Sequence, residues 1–431
     1  MIVSKFGGTS VGTFQAMQKS AEIVSEDVDR SFIVISATSG TTNDLVALMS
    51  PELDSTAREA IIIRIKERHL SIIQKLGSPE KAEISFKEEL TQLRQHLDQV
   101  ARDKRWKDRL VSFGELMSTK IFIEVLKESG VDAEWIDARE ILKTDSTFGN
   151  ATPDRGMLKK NLQKRIETDK VYLTQGFIGS DVFGNTTTLG RGGSDFSAAL
   201  FAEAINADLL EIWTDVAGIY STDPRVVKAA RPIKEITFDE AAELSVFGGK
   251  VLHPATLKPA IRGKIDVRVS STSEPEKPGT LIVHESTEKP VVRALSLRKN
   301  QTLLTVRSLD MLHQYGFLAK LFQVLSDNKI SVDLVSTSEV SVSLTLDTAV
   351  NASNKVELTI EVLEELREFC EVEIEKDYCL IALIGNSLTK TAGISGKLFN
   401  KLKDYNIRMV CHGASENNIC FLANESDGES I

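Results

Sequence analysis

The sequence predicts an α/β fold with a mainly parallel sheet in its first two-thirds, followed by two copies of a small α+β unit. Three observations lead to this prediction: short β-branched runs alternate with longer amphipathic stretches, a Pro-rich segment interrupts them, and the last part of the chain repeats itself. Alternating strands and helices are typical of parallel βαβ units. The 431 residues indicate two or three domains, because single cores stop growing at roughly 250–300 residues.

The first part of the chain contains five predicted strands. Between the first two, apolar residues from Met17 to Val28 recur at helical spacing and predict a crossover helix. Residues from about Thr56 to Arg109 are charged with a helical period, so we interpret them as a helical insertion with a solvated face and no chemistry. The predicted strands are Ile2 to Phe6, Phe32 to Ala37, Val171 to Ile178, Leu209 to Thr214 and Ile265 to Val269.

A linker and a domain boundary are predicted from Ser273 to Pro290, where Pro, Lys, Ser and Glu are frequent. Beyond the linker the chain repeats without a gap, since one constant shift places Gly316 on Gly393 and Lys320 on Lys397. Each copy reads as a strand, a glycine turn, a helix and two strands. Such a unit is too small to be stable alone, so we expect the sheets of the two copies to pair.

Composition and charge exclude several classes of protein. A net charge of −10 disfavours nonspecific nucleic-acid binding, which needs a basic surface. No apolar run is long enough to span a bilayer, and the first residues lack a signal-peptide pattern, so we expect a cytoplasmic protein. The cysteines lack metal-ligand spacing and are interpreted as small buried hydrophobes. They are Cys370, Cys379, Cys411 and Cys420.

The segment from Lys5 to Gly12, KFGGTSVG, has the features of an anion site. Its glycines let backbone N–H groups approach a phosphate, the following helix start adds a partial positive charge, and Lys5 adds a full one. A plain strand-to-helix turn is the alternative, and a glycine pair alone does not decide between them. No Walker motif GxxxxGK[ST] occurs in the chain.

A second glycine cluster runs from Thr188 to Asp195 and precedes a predicted helix from Phe196 to Ala204. The planar guanidinium of Arg191 in this turn is suited to bidentate carboxylate binding. A flexible surface loop is the weaker alternative, because glycine, Arg and Asp crowd together at a helix start. Two such turns in one α/β domain suit a phosphoryl donor and an anionic acceptor.

Six segments together resemble those of the aspartate kinases (aspartokinases), in that family's order, over essentially the whole chain. The resemblance is closest to the monofunctional lysine-sensitive subgroup. The chain departs from the family at Gly249, where a small alanine is expected, and it ends soon after Leu422 without the usual final helix. The six segments are KFGGTSVG (Lys5 to Gly12), SFGELMST (Ser112 to Thr119), TQGFIGS (Thr174 to Ser180), TTTLGRGGSD (Thr186 to Asp195), WTDVAGIYSTDPR (Trp213 to Arg225) and FGGKVLHPAT (Phe247 to Thr256).

The resemblance implies a three-layer αβα amino-acid kinase domain, similar to carbamate kinase, over residues 1–285. It implies tandem α+β ACT domains over 296–374 and 375–431, the second completed by the strand around 291–306. The implied reaction converts ATP and L-aspartate to ADP and 4-phospho-L-aspartate, the first step towards lysine and diaminopimelate, threonine and methionine. Mg²⁺ would be carried mainly by the nucleotide phosphates, without a metal site of the protein, and a homodimer or tetramer would form through the ACT domains.

Residue roles also follow from the resemblance. Catalytic roles are implied for Lys5, Arg191 and Asp195. ATP binding is implied for Lys5, Gly7, Gly8, Thr214, Asp215, Tyr220, Arg225, Lys250 and Val251. Aspartate binding is implied for Thr42, Glu115, Arg191, Gly192, Gly193 and Ser194. Binding of L-lysine as an allosteric inhibitor is implied for Met311, Gln314, Phe317, Leu318, Asp333, Ser338 and Glu339.

Physical reasons support two of these sets. Arg191 and Glu115 complement the α-carboxylate and the α-ammonium of an amino acid, although Glu115 read alone could be an acid interacting with a helix dipole. In the repeat, Asp333 falls on Val410 while Glu339 matches Glu416, so only the first copy has both acids for a cationic ligand. The alternative for Asp333 is a solvent-facing residue at a strand end.

Two rival functions remain on the residues alone. A kinase of the same fold acting on glutamate, acetylglutamate or uridylate would share the glycine turns, but the acceptor set and the paired ACT modules disfavour it. A non-catalytic amino-acid sensor would need only the repeat. The presence of Lys5, Arg191, Asp195 and Lys250 argues against an inactive kinase domain.

Overall fold

A computed structural model describes residues 1–100, 102–167, 169–248, 252, 254–312, 315–346 and 358–431. The chain forms two compact units. The first consists of Met1–Ile219, Pro232–Ala242 and Lys250–Thr287, and the second of Tyr220–Arg231, Glu243–Gly249 and Glu288–Ile431.

The larger part of the chain alternates strands and helices as the sequence predicts. Several helices have an Asp or Thr at the N-cap whose side chain accepts a backbone N–H of the first turn, for example Thr13 and Asp54. The elements are β1 (Ile2–Phe6), α1 (Phe14–Ser25), β2 (Arg30–Ile35), α2 (Thr41–Ala47), α3 (Ser55–Ile73), α4 (Glu80–Leu97), α5 (Lys104–Glu128), β3 (Ala133–Ile136), α6 (Ala138–Ile141), α7 (Arg155–Gln163), β4 (Val171–Gln175), β5 (Ile178–Ser180), β6 (Thr186–Thr188), α8 (Gly193–Ile205), β7 (Leu209–Thr214), β8 (Glu235–Thr237), α9 (Phe238–Val246), α10 (Pro254–Gly263), β9 (Asp266–Ser271) and β10 (Thr280–Val283).

An eight-stranded sheet organises the first unit, in the order β3-β4-β2-β1-β7-β9-β10-β8. All neighbouring strands run parallel except β9 and β10, and β5 pairs with β6 in a separate two-stranded sheet. The carboxyl ends of the parallel strands β1, β2, β4 and β7 therefore meet at one edge of the sheet, where ligands bind in open α/β folds.

The insertion is helical with a solvated face, as the sequence predicts, and the other face of its helices belongs to the hydrophobic core. Ile65 on α3, together with Phe86 and Leu93 on α4, is almost completely buried and packs in the same cluster as Phe113 of α5. Many charged residues of these helices, such as Glu67 and Lys87, lie on the exposed face. The sequence shows this periodicity but does not reveal how much of the apolar stripe is covered.

Other differences are local. Residues 171–178 form two strands, because the chain turns at Gly176 and Phe177. The first crossover helix ends at Ser25, and Val28 is exposed. The predicted linker contains β10, which pairs with both β8 and β9, so part of this Pro-rich segment belongs to the sheet.

The last part of the chain builds one sheet from both copies of the repeat. Its six antiparallel strands have the order β12-β13-β11-β14-β16-β15. The elements are β11 (Val292–Arg307), α11 (Phe317–Asp327), β12 (Val332–Thr337), β13 (Ser341–Leu346), α12 (Ile360–Arg367), β14 (Glu371–Gly385), α13 (Ile394–Lys401), β15 (Ile407–His412) and β16 (Asn418–Asn424).

Two long strands join the copies. The second half of β11 pairs with β13 and with the start of β14, and its first half pairs with the end of β14. At the opposite margins of the sheet, the Cys411 thiol on β15 donates to the Val335 carbonyl of β12 at 3.9 Å, so the sheet curls. All four cysteines are free, and Cys411 is the least buried of them.

Candidate active site

The first glycine turn lies where β1 ends. Lys5 occupies the register position between Val34 of β2 and Ile212 of β7. The Gly7 N–H donates to the Trp213 carbonyl at 2.9 Å, and a Cβ on Gly8 would lie 2.8 Å from the Ala37 carbonyl oxygen. Glycine is therefore required at position 8 for the turn to lie against the segment that follows β2.

The second glycine turn leads directly into α8. Gly190 and Gly192 have φ angles of 78° and 70°, which side chains rarely adopt, and Gly192 is the N-cap of the helix. The helix starts at Gly193, three residues earlier than its predicted start at Phe196. Asp195 consequently lies in the first turn of α8, where a carboxylate is favoured by the helix dipole.

An ion pair joins the two turns. Lys5 Nζ lies 2.5 Å from Asp195 Oδ1, and both side chains are largely buried. Two residues that are distant in the sequence thus form one charged unit at the edge of the sheet.

Glu115 approaches the same place from α5. The helix begins at Lys104, so Glu115 lies well inside it and the alternative of an N-terminal acid is wrong. A Cβ on Gly114 would lie 2.8 Å from the Ala37 Cβ, so the glycine lets α5 pack closely against the segment after β2. Glu115 Oε1 accepts the Ala37 N–H at 3.2 Å, and Oε2 is buried without a hydrogen-bond partner among the described residues.

The electrostatics of Glu115 follow from this position. Burial raises the pKa of its carboxyl to about 8, while the Ala37 N–H and the charge of Lys5 act in the opposite direction. At neutral pH the carboxyl is therefore mostly protonated in the empty site, and a cation placed at the unpaired Oε2 would favour its ionised form.

A pocket of about 440 Å³ brings these groups together. Of the residues predicted to bind aspartate or the transferred phosphate, only Gly7 is not among its lining residues. The lining is Lys5, Gly8, Ser36, Ala37, Thr38, Ser39, Gly40, Thr42, Asn43, Glu115, Phe177, Gly190, Arg191, Gly192, Gly193, Ser194 and Asp195.

The pocket includes residues that the sequence analysis missed. Residues 36–40 follow β2 and supply one wall. Their signal in the sequence is a run of small and hydroxyl residues after a predicted strand, at the edge where the strand ends converge. Phe177 supplies another part of the wall with a φ of 68°, which is rare for an aromatic residue.

Close packing of the chain at Gly176 and Phe177 against the segment from Leu189 to Ser197 explains this backbone conformation. The Phe177 N–H donates to Ser197 Oγ at 2.8 Å, and its carbonyl accepts the Leu189 N–H at 3.0 Å. A Cβ on Gly193 would lie 2.5 Å from the Phe177 ring, and a Cβ on Gly176 would lie 2.7 Å from the Ser194 Cβ. The absence of two side chains thus lets these segments pack directly against each other.

The residues that the sequence predicts to bind the nucleotide beyond the pocket belong to different units of the chain. Thr214 ends β7 and its hydroxyl donates to Asp215 at 3.1 Å, in the first unit but outside the pocket lining. Tyr220 and Arg225 belong to the second unit. Lys250 and Val251 lie outside the described residues, as does Gly249.

The residues that are predicted to bind L-lysine lie at different ends of β12. The Ser308 N–H donates to the Val340 carbonyl at 3.0 Å, so the segment leading to Met311 starts beside the turn that carries Ser338 and Glu339. Asp333 lies near the start of the strand and forms an ion pair with Arg298 of β11.

Asp333 therefore does not face solvent freely, since its side chain is 17% exposed. Phe317 begins α11 and its ring packs edge-on against Phe369, with 5.7 Å between the centroids, while Leu318 is exposed. Gln314 lies outside the described residues.

Metal and membrane features can be stated for the described part of the chain. There, no group of three or more His, Cys, Asp or Glu side chains is arranged to hold a metal ion. Within the same residues, no helix combines the length and apolar character of a membrane span.

Comparisons with known proteins cover the whole chain. The model of the amino acid kinase family matches residues 1–271, and an ACT domain model matches residues 304–360 and 381–430. Lysine-sensitive aspartokinase 3 of Escherichia coli (strain K12) is 48% identical over 442 residues, with 100% of this chain and 97% of that protein covered.

Two solved structures of Escherichia coli aspartokinase III are similar to the fold. One is a complex with aspartate and ADP in the R-state, and the other is a complex with lysine and aspartate in the T-state. Each aligns with a TM-score of 0.88 at 47% identity, covering 100% of this chain and 97% of that chain.

Proposed function

The chain belongs to the aspartokinase family, and on that premise we propose that it transfers the γ-phosphoryl group of ATP to the β-carboxylate of L-aspartate. The products are ADP and 4-phospho-L-aspartate, which enters the route to lysine and diaminopimelate, threonine and methionine. The observation that carries this assignment is the pocket in which Lys5, Glu115 and the turn from Gly190 to Asp195 meet.

The acceptor needs no general base. A free aspartate carboxyl has a pKa of about 3.9 and is ionised at neutral pH, so it is already a nucleophile. Catalysis has to hold two anions in line and to stabilise the charge of the transferring phosphoryl group. The cation for this purpose is Lys5, which Asp195 orients. The Gly8 backbone amide completes the phosphate site, while the Gly7 N–H holds the turn against Trp213 of β7.

Residues on two sides of the pocket bind the acceptor aspartate. Glu115 Oε2 accepts the α-ammonium group, and Arg191 holds a carboxylate with its guanidinium fork. Thr42 and the turn from Gly192 to Ser194 supply the remaining polar contacts. An ammonium partner for Glu115 selects an amino acid over a simple dicarboxylate.

The nucleotide approaches from the β7 side of the sheet. Thr214 and Asp215 at the end of this strand bind it together with Tyr220, Arg225, Lys250 and Val251. Mg²⁺ enters as part of the substrate MgATP, because this ion keeps several waters and binds phosphate oxygens readily.

The proposal includes feedback inhibition by L-lysine. The kinase domain spans 1–285 and the ACT domains span 296–374 and 375–431. The protein is a cytoplasmic homodimer or tetramer. Asp333 near the start of β12 and Ser338 just beyond its end are separated by about 17 Å, at roughly 3.3 Å per residue of extended chain. Two copies of β12 running antiparallel at a two-fold interface would place Asp333 of one beside the Glu339 of the other. The site therefore lies between partner subunits, with Met311, Gln314, Phe317 and Leu318 around it.

One assay tests the reaction. Purified protein is mixed with MgATP and one acceptor at a time, ADP release is followed by a coupled reaction, and the acyl phosphate is trapped with hydroxylamine. We expect aspartyl hydroxamate from L-aspartate only. Turnover of glutamate or acetylglutamate without turnover of aspartate would refute the assignment and leave only the fold.

A further inference from the structure

The helical insertion reaches the wall of the pocket through a buried carboxylate. Asp44 on α2 is 7% exposed and directly follows Thr42 and Asn43, which line the pocket. Arg64 of α3 donates to Asp44 Oδ1 through Nε at 2.8 Å and Nη2 at 2.5 Å. Arg68, one helical turn further along α3, places Nη1 2.8 Å from Asp44 Oδ2.

Arg68 also touches the backbone turn that starts α2. Its Nη1 donates to Thr41 Oγ1 at 3.3 Å, and a Cβ on Gly40 would lie 3.1 Å from its Nη2. Gly40 has a φ of 82°, so the turn is built around a conformation that favours glycine. One guanidinium therefore lies against Gly40, Thr41 and Asp44, at both ends of the segment that lines the pocket.

Charge keeps this contact in place. Burial acts to raise the pKa of Asp44, but hydrogen bonds and charge from Arg64 and Arg68 outweigh it and hold the pKa below its usual range. The ion pair is thus present throughout the neutral pH range. Removing Arg68 would leave part of a buried carboxylate without its counter-charge, which is costly.

A purely structural pair is the alternative, and the same insertion contains one. Arg94 of α4 forms a two-pronged pair with Glu59 of α3, and both side chains are 45% exposed. Neither residue lines the pocket. The two pairs have similar chemistry, but only the Arg68 pair contacts the pocket segment.

We propose that Arg68, through Asp44 and Thr41, is a positioning residue that holds the Gly40–Asn43 segment in the conformation that binds the amino-acid acceptor. The inference rests on the proposed function, since it assigns a role in acceptor binding. It gives the helical insertion a part in the site that its charge pattern did not indicate.

The test measures KM for aspartate and for ATP in Arg68→Met, Arg68→Lys and Arg94→Met. We expect Arg68→Met to raise KM for aspartate about tenfold while kcat and KM for ATP stay within about twofold. Arg68→Lys should recover part of the loss, because an ammonium keeps the charge but not the fork. Arg94→Met should behave as wild type.

A lower melting temperature in Arg68→Met with unchanged KM for aspartate would overturn the inference. If Arg68→Met does not fold, Asp44→Asn carries the test, because it keeps the side-chain volume and should raise KM for aspartate similarly. A wild-type protein that does not phosphorylate aspartate would instead refute the proposed function. An active wild type beside unchanged KM values refutes only the role of Arg68.

Discussion

Lys5 Nζ and Asp195 Oδ1 lie 2.5 Å apart and connect the turn after β1 with the turn that begins α8. The first turn is the proposed phosphate site and the second carries the proposed acceptor site. Because the Asp195 carboxylate fixes the ammonium group between them, the lysine charge is positioned before either substrate binds. Such preorganised charge lowers a barrier without reorganisation during the reaction.

Replacing Lys5 by Met should lower kcat by about 10²–10³-fold, since the charge counts most when the phosphoryl group is in transfer. Arg191→Ala should mainly raise KM for aspartate, because its guanidinium binds the acceptor before and during transfer. Steady-state kinetics at saturating ATP separates the two effects, and circular dichroism checks the fold. Normal turnover by Lys5→Met would show that the turn after β1 is not the phosphate site.

Glu115 predicts a pH-dependent affinity for aspartate. Its pKa of about 8 means that the carboxyl is protonated in the empty pocket at neutral pH, whereas binding an ammonium group favours the ionised form. Aspartate binding therefore releases a proton, and KM for aspartate should fall as the pH rises from 6 to 8, by up to about tenfold per unit. A KM that is independent of pH in the wild type would contradict this role.

The variant Glu115→Gln provides the control for this effect. It should bind aspartate weakly with little pH dependence, because no proton is released. Stability gives an independent check: a folded-state pKa above the unfolded value means that the folded state binds more protons between pH 4.5 and 8, so stability is lost as the pH rises through this window. The melting temperature of the wild type should fall more between pH 6 and 8 than that of Glu115→Gln.

Gly176 offers a steric test of the acceptor side. A Cβ at this position would lie 2.7 Å from the Ser194 Cβ and 2.8 Å from its Cα, so Gly176→Ala must displace the turn before α8. We expect KM for aspartate to rise at least fivefold, an estimate for a small displacement of binding groups. Gly156→Ala on α7, where the added Cβ lies 3.4 Å from Asp154 Oδ1, is the matched control. Equal kinetics of both variants would argue against close packing of Ser194.

The sequence predicts the strands that carry the site more accurately than it predicts the residues that line the pocket. Strands β1 and β7 have the predicted bounds because their apolar runs are short and end at turn residues. The pairing of Lys5 with Asp195 and the burial of Glu115 depend on long-range packing, which a local pattern does not contain. In the absence of the resemblance, Glu115 would read as an ordinary helical acid.

The misplaced elements also have physical causes. Strand β10 lies in a Pro-rich segment and is too short to outweigh its flanking turn residues, although both of its neighbours in the sheet pair with it. In the insertion, the charged residues reveal the solvated face, but the long side chains that flank the apolar positions hide how fully those positions are buried. Asp44 could not be linked to Arg68 from spacing, since the pair joins two helices.

In this proposal, lysine inhibits the enzyme only if its ammonium group replaces Arg298 as the partner of Asp333. Arg298 already neutralises the carboxylate in the described structure, so a lysine ammonium group has to replace a guanidinium. Asp333→Ala should abolish inhibition by lysine, with each rate compared with the uninhibited rate of the same variant. Arg298→Met should lower the lysine concentration for half-inhibition several-fold, because it removes the competing cation; a coupling of about 1–3 kcal/mol sets the scale.

The second copy of the repeat supplies the control for this site. Glu416 matches Glu339 in the repeat but pairs with Lys390 at 2.7 Å, and Val410 stands where the first copy has Asp333. Glu416→Ala should therefore leave lysine inhibition unchanged. Threonine, which has no side-chain ammonium group, should not inhibit the wild type. Unchanged lysine inhibition in Asp333→Ala would place the effector away from Asp333, because a cation bound at this carboxylate loses its counter-charge in the variant. Inhibition by threonine alone would contradict the site as well.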